Sequence, residues 1–188
     1  MTADKPLGTL IVIWGVPGTG KSAFARWLAE HHGYTFIDTD AIVVGRMQPT
    51  TLSRRWEQTY KRLASPSAFM DVVATHGHPV VAEYGRWATD ENIALLANLR
   101  ELGADPWWFD GYPLAAYAAW RKETPNAGRV LDDGAWHRVV DVINANRRAL
   151  EQFFGRDRML RTIEKGSGHE PPEAIYARMQ QVLGGSQD

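Results

Sequence analysis

Short apolar runs alternate along the chain with segments that carry apolar residues at helical spacing. The first run, LIVIW at residues 10–14, has no polar interruption, which is typical of a strand buried on both faces of a sheet. The next segment places Phe24, Trp27 and Leu28 on one helical face. Further strands are predicted at 34–37, 80–82, 107–109 and 158–163. Two short helices are predicted within 51–75, and others begin at 89 and at 113 or span about 135–154 and 172–183. This alternation predicts an α/β fold in which helices cover both faces of a five-stranded parallel sheet.

The composition excludes several classes of protein. The 188 residues suit one domain spanning residues 1–188, and 21 basic against 22 acidic residues give a net charge of −1. That balance lacks the broad basic surface of nucleic-acid binders, so we expect no nucleic-acid partner. The chain has no cysteine, which excludes a thiol nucleophile and a cysteine-ligated zinc site. No apolar run approaches the roughly 18 residues of a membrane span, so we expect a cytoplasmic protein with no membrane partner.

A glycine-rich loop follows the first predicted strand. Residues 15–22 read GVPGTGKS, a complete G-x-x-x-x-G-K-S pattern between a strand and a helix. Its glycines allow backbone N–H groups to surround a phosphate, while Lys21 can reach the β- and γ-phosphates and Ser22 can join a magnesium shell. We call residues 15–22 the phosphate loop. The residues predicted to bind phosphate are Gly15, Pro17, Gly18, Thr19, Gly20, Lys21 and Ser22.

Carboxylates end the second and third predicted strands. Asp38 and Asp40 follow the second strand, and Glu83 follows the third. In a doubly wound sheet these ends lie at the ligand crevice. Of two acids at i and i+2, one can hold a magnesium-bound water and the other can accept the proton of an attacking hydroxyl. The residues alone leave open which of the two aspartates holds the magnesium-bound water and which accepts the proton.

The phosphate loop resembles the Walker A motif of the P-loop NTPases. The chain is most similar to the small P-loop kinases, a group with shikimate, gluconate and adenylate kinases, chloramphenicol phosphotransferase, zeta toxins and polynucleotide kinase. The hydrophobic-D-x-D pattern at 36–40 resembles that of shikimate kinases, in which the first acid serves magnesium and the second serves the substrate. A lone acid at the position of Asp40 is the base in chloramphenicol phosphotransferase and zeta toxins. The resemblance therefore implies that Asp40 is the base and Asp38 a magnesium residue.

The third segment resembles a further group. Its E-x-G-x-W pattern at 83–87 is similar to that of predicted bacterial AAA-domain-like P-loop kinases. The resemblance implies that Glu83 holds a magnesium-bound water and that Arg86 contacts the substrate. It also implies that Arg121 closes over the transferring phosphoryl group from a lid. The strand order expected from this family is 2-3-1-4-5, with a substrate cap at about 45–76 and a lid at about 117–135.

The resemblance implies an activity but no particular acceptor. Shikimate kinases carry a glycine triplet after the third strand, where this chain has Tyr84, Gly85 and Arg86, and this difference argues against shikimate. We expect transfer of the γ-phosphoryl group of ATP, with Mg²⁺, to a hydroxyl of a small molecule. Two alternatives stay open. One is a kinase for a polynucleotide end or a nucleotide-sugar, and the other is a non-catalytic ATP-binding module.

Overall fold

The computed structural model describes residues 7–39, 48–85, 87–123, 132–166 and 168–185. The strands are β1 (Leu10–Gly15), β2 (Thr35–Ile37), β3 (Val80–Glu83), β4 (Asp105–Gly111) and β5 (Met159–Ile163). The helices are α1 (Lys21–His32), α2 (Thr51–Tyr60), α3 (Pro66–His76), α4 (Asp90–Glu101), α5 (Pro113–Glu123), α6 (Asp133–Ala145), α7 (Arg147–Phe154) and α8 (Pro172–Gly184).

The strands form one parallel sheet in the order β2-β3-β1-β4-β5, which confirms the predicted fold class and strand order. Strand β1 lies at the centre, where Ile13 is in register with Glu83 of β3 and with Trp107 of β4. Because the strands are parallel, their carboxyl ends meet at one edge. The phosphate loop leaves β1 at that edge and leads into α1.

The central strand is buried on both faces, as its uninterrupted apolar run predicts. Leu10, Val12 and Trp14 belong to a core shared with helices α2 to α7. Ile11 and Ile13 belong to a second core shared with α1 and α8. Both cores need apolar side chains from the same strand, so polar residues are excluded from β1 until the phosphate loop begins.

Aromatic rings connect the sheet to the helices above it. The Trp14 ring packs edge-on against Tyr84 and Trp108, with centroids 5.2 and 5.3 Å away. Tyr84 in turn contacts Trp56 of α2 at 5.8 Å, and Trp56 contacts Phe69 of α3 at 5.0 Å. Trp14, Trp56 and Trp108 are almost fully buried. This cluster holds α2 and α3 firmly over the carboxyl side of the sheet.

The predicted single helix at about 135–154 is wrong, because α6 and α7 are separate helices that meet at Asn146. The Asn146 side-chain amide donates to the Val142 carbonyl at 3.0 Å, a local bond of the kind that competes with helix continuation. Leu150 and Phe154 of α7 are buried, and α7 packs on α4 and β4. The break lets Arg147, the first residue of α7, donate to Asp110 at the end of β4 at 2.7 Å.

Strand β4 is longer than predicted and contains a proline. Pro106 is in register with Val12, although proline cannot donate to a sheet ladder. The Trp108 N–H donates toward β5, to Arg158, at 2.9 Å, so the Pro106 nitrogen two residues earlier faces the same side. Pairing with β5 begins only at Trp108, and no ladder bond is lost at Pro106.

The predicted cap and lid fall partly outside the described residues. Helices α2 and α3 lie within the predicted cap, whereas residues 40–47 and 124–131 are not described. The division into cap and lid therefore stays a prediction. Among the helices of the described ranges, none is both long and apolar enough to cross a membrane.

Gly15 allows the phosphate loop to start against β4. Its φ is +143°, and a Cβ there would lie 2.0 Å from the Phe109 carbonyl oxygen. We expect Gly15→Ala to lower the free energy of unfolding by about 3 kcal/mol or more, through backbone strain and this overlap. Gly33 is the matched control, since its φ is +70° with open space around it, and Gly33→Ala should cost only about 1 kcal/mol. Urea unfolding measures both, and equal losses would contradict the close-approach explanation.

Candidate phosphate-binding and transfer site

The phosphate loop is fixed between the ends of β1 and β4 and the start of α5. Its Val16 N–H donates to the Phe109 carbonyl at 3.0 Å. Gly18 has φ +83°, and a Cβ there would lie 2.0 Å from the Ala116 carbonyl oxygen of α5. A side chain at this position is excluded both by the backbone conformation and by the neighbouring helix. The glycine spacing therefore reflects close contacts of the loop with β4 and α5 as well as room for a phosphate.

Lys21 points back into the loop. Its ammonium donates to the Val16 carbonyl at 3.0 Å and to the Gly15 carbonyl at 3.4 Å. The same nitrogen lies 4.0 Å from a Glu83 carboxylate oxygen, and the two side chains are only 9% and 12% exposed. A cation in so enclosed a place needs opposite partial or full charge around it. A bound phosphate would place negative charge beside the Lys21 ammonium, as the loop carbonyls and the Glu83 carboxylate do here.

Ser22 and Glu83 meet although 61 residues separate them along the chain. The Ser22 hydroxyl donates to the other Glu83 carboxylate oxygen at 2.7 Å. Glu83 reaches it from the end of β3, which lies beside β1. A hydroxyl and a carboxylate are hard oxygen donors of the kind that Mg²⁺ prefers, so these two residues fit a magnesium ion bound next to the phosphates. Within the described ranges, no group of three or more His, Asp or Glu side chains could hold a metal by itself.

The end of β2 lies beside Glu83. Ile37 is in register with Ala82, and the Thr39 hydroxyl donates to the Glu83 carbonyl at 3.4 Å. The Trp56 indole N–H donates to the same hydroxyl at 3.2 Å, which fastens helix α2 to this point. Asp38, directly before Thr39, is half-buried. The first acid of the D-x-D pattern and Glu83 thus belong to neighbouring strand ends, as the sequence predicts.

Two predicted site residues cannot be placed. Asp40, the predicted base, and Arg86, the predicted substrate residue, both lie outside the described residues. Their roles stay predictions. The neighbouring residues Thr39 and Gly85 are described, and both belong to the carboxyl edge of the sheet.

Arg121 lies near the end of α5 and faces α6. Its guanidinium donates to the Asp133 carboxylate at 3.1 Å and to the Tyr117 hydroxyl at 3.3 Å. The hydrogen bond to Tyr117 and the charge of Asp133 raise the pKa of Arg121 above its ordinary value, so the side chain keeps its charge. Both members of the ion pair are about half exposed. If Arg121 acts on a phosphoryl group, this exposed pair has to separate first.

Sequence reasoning missed two contacts made by the last strand and the loop after it. The Thr162 hydroxyl of β5 donates to the Thr19 carbonyl at 2.7 Å. His169, in the loop after β5, has its Nε2 atom 2.8 Å from the Gly18 carbonyl oxygen. Neither residue belongs to a motif, and they are 143 and 151 residues from their partners. Only the parallel sheet brings them to the phosphate loop.

A comparison with protein families finds a match to the first half of the chain. A family model described as an AAA domain matches residues 10–106, slightly more than half of the chain. The matched range contains the phosphate loop, the D-x-D pattern and Glu83. It ends near the start of β4, before Arg121, Thr162 and His169.

Curated relatives are shikimate kinases that match part of the chain. The shikimate kinase of Geobacter sulfurreducens is 34% identical over 101 residues, which is 49% of this chain and 55% of that protein. The shikimate kinase of Gloeobacter violaceus is 33% identical over 88 residues, which is 43% of this chain and 50% of that protein. The chain thus spans about half the length of the curated relatives it matches.

Solved structures share the fold across the whole chain. A gluconokinase from Sinorhizobium meliloti superposes with a TM-score of 0.56 at 18% identity, covering 97% of this chain and 100% of that one. A shikimate kinase from Acinetobacter baumannii in complex with shikimate superposes with a TM-score of 0.51 at 15% identity, covering 96% of each chain. At these identities the superpositions show the fold alone.

Proposed function

The chain belongs to this AAA-domain family, within the small P-loop kinases, and on that premise we propose that it transfers the γ-phosphoryl group of ATP to a hydroxyl of a small molecule. The observation that carries the proposal is the meeting of Lys21 and Ser22 with Glu83 at the carboxyl edge of the sheet. An ammonium, a hydroxyl and a carboxylate gathered beside a glycine loop match the needs of phosphoryl transfer, which depends on charge neutralisation and alignment.

The phosphate loop binds the nucleotide phosphates in this proposal. The backbone N–H groups of residues 18–22 and the start of helix α1 provide partial positive charge. The Lys21 ammonium exchanges its contacts with loop carbonyls for the β- and γ-phosphates, and there it stabilises the charge that develops in transfer.

Ser22 and Glu83 are the residues that would hold Mg²⁺, assisted by Asp38. Small P-loop kinases use ATP together with this ion, which would neutralise phosphate charge when bound. The 2.7 Å contact between Ser22 and Glu83 shows that both side chains reach one point beside the loop. Few protein ligands are needed, because Mg²⁺ in such sites keeps water and phosphate oxygens as its other ligands.

The acceptor hydroxyl lies on the side of β2 and β3. We assign the base to Asp40, two residues after Asp38, where a carboxylate can take the hydroxyl proton as the new bond to phosphorus forms. The bond from the Thr39 hydroxyl to the Glu83 carbonyl supports this assignment, since it holds Thr39, the residue before Asp40, beside the end of β3. Arg86, three residues after Glu83, is assigned to the substrate.

The acceptor class is a hydroxylated small molecule. The shikimate kinase relatives match only about half of their own length, and Tyr84, Gly85 and Arg86 depart from the glycine triplet expected from the resemblance to shikimate kinases. Shikimate is therefore one compound to test among sugars, polyols and nucleosides. A polynucleotide end is the second candidate, but the net charge of −1 does not favour it, and salt-sensitive oligonucleotide binding would be its signature.

Replacement of Lys21 tests the phosphate loop. Lys21→Ala should keep the fold, lower the affinity for ATP and lower phosphoryl transfer further, by about 10²-fold or more, because the ammonium acts most strongly in the transition state. Calorimetry and product assays measure the two effects. Lys61→Ala, which removes an exposed lysine at the end of α2, is the control and should change neither. Wild-type turnover in Lys21→Ala would refute this mechanism.

Replacement of Arg121 tests the lid. If Arg121 reaches the phosphoryl group only on closure, Arg121→Ala lowers kcat more than it raises the KM for ATP. Asp133→Ala breaks the same ion pair but keeps the arginine, so it should leave kcat unchanged or raise it. Steady-state kinetics measure kcat and the KM for ATP in both variants. Equal kcat values for Arg121→Ala and the wild type would show that Arg121 does not act in phosphoryl transfer.

Replacement of the two aspartates tests how their roles are divided. Asp40→Asn keeps the side-chain size but removes the base, so Mg·ATP should bind almost as before while transfer falls by about 10²–10⁴-fold. Asp38→Asn should instead raise the Mg²⁺ concentration needed for half-maximal activity. Titration of Mg²⁺ in both variants separates the two effects. If Asp38→Asn abolishes transfer while Asp40→Asn is nearly silent, the roles are exchanged.

A further inference from the structure

Two consecutive carbonyl groups of the phosphate loop accept hydrogen bonds from side chains far along the chain. The Thr19 carbonyl accepts from the buried Thr162 hydroxyl at 2.7 Å. The Gly18 carbonyl lies 2.8 Å from His169 Nε2. A carbonyl oxygen only accepts, so the Nε2 atom of His169 carries the proton in this contact.

The chain after β5 folds back to place His169. Ile163 and His169 form an antiparallel bridge, and the Glu170 N–H donates to the Thr162 carbonyl at 2.8 Å. The imidazole then packs on the loop, where a Cβ at Gly20 would lie 3.0 Å from His169 Cδ2. Ring contact and hydrogen bond together fix His169 against Gly18 and Gly20.

The planarity of the peptide gives these contacts a directional consequence. In a trans peptide the C=O of one residue and the N–H of the next point in opposite directions. A Gly18 carbonyl held toward His169 therefore turns the Thr19 N–H away from His169. A Thr19 carbonyl held toward Thr162 turns the Gly20 N–H away from Thr162 in the same manner.

We propose that Thr162 and His169 are positioning residues that aim the Thr19 and Gly20 amide groups at the nucleotide phosphates. The inference rests on the proposed function, because it assigns a purpose to amide groups of a loop taken to bind phosphate. Gly18 and Gly20 both have positive φ and no side chain, so these peptides lack the steric restriction that side chains impose. In addition to the Thr19 hydroxyl, which donates to the Val16 carbonyl at 2.7 Å within the loop, the bonds from Thr162 and His169 restrict these peptides before the phosphate arrives, which lowers the ordering cost of binding.

Binding of inorganic triphosphate with Mg²⁺ isolates this effect. The probe has neither base nor sugar, so its affinity reports the phosphate loop without contributions from other parts of a nucleotide. His169→Phe keeps an aromatic ring over Gly20 but removes the donor, and Thr162→Val keeps the shape but removes the hydroxyl. We expect each variant to weaken binding about 3- to 10-fold, the usual effect of one hydrogen bond. Thr162→Val also leaves the buried Thr19 carbonyl without this donor and lowers the melting temperature, so affinity is measured well below that temperature.

Conservative variants distinguish positioning from packing. His169→Gln and Thr162→Ser retain a donor and should restore affinity to within about twofold of the wild type. His78→Phe and Thr75→Val are the matched controls, since they remove a histidine and a hydroxyl away from the loop, and both should bind like the wild type.

Three results would overturn the proposal in distinguishable ways. Unchanged affinity in His169→Phe and Thr162→Val, with a wild type that binds triphosphate, would remove the positioning role and leave the proposed function standing. Wild-type affinity in His169→Phe together with a loss in His169→Gln would show that ring packing, not the donor, matters. A wild type that binds no triphosphate would overturn the proposed function and this inference together.

Discussion

The close fit of two glycines, Gly15 against β4 and Gly18 against α5, is the constraint on which the site depends. A Cβ at Gly15 would meet the Phe109 carbonyl, and a Cβ at Gly18 would meet the Ala116 carbonyl, each at 2.0 Å. The loop can occupy this space only with glycine at both positions. Its position relative to β1, β4 and α5 then determines where Lys21 and Ser22 begin helix α1.

The charged groups of the site follow from the order of the strands. Because β3 lies beside β1, Glu83 reaches both Lys21 and Ser22, and because β2 lies beside β3, Thr39 reaches the Glu83 carbonyl. Trp56 extends this chain of contacts into α2 through its bond to Thr39. The predicted cap is therefore attached directly to the acidic edge of the sheet, next to the position proposed for the acceptor.

Sequence patterns predict the elements and the phosphate loop well, because each pattern lies within one short segment. The apolar run of β1 reflects burial on both faces, and the glycine spacing at 15–20 reflects backbone conformation. The strand order, by contrast, is an expectation from the resemblance to small P-loop kinases. The failures have tertiary causes. The division at Asn146 depends on packing of α7 against α4 and β4, and the contacts of Thr162 and His169 join segments more than a hundred residues apart.

Product analysis by phosphorus-31 NMR can detect phosphoryl transfer to a hydroxyl. The protein is incubated with Mg·ATP and, in turn, with polyols, sugars, nucleosides, shikimate and a 5′-hydroxyl oligonucleotide. We expect that one small hydroxylated compound yields a phosphate monoester and ADP in equal amounts. ADP with only inorganic phosphate for every acceptor, or a monoester with the oligonucleotide alone, would contradict it.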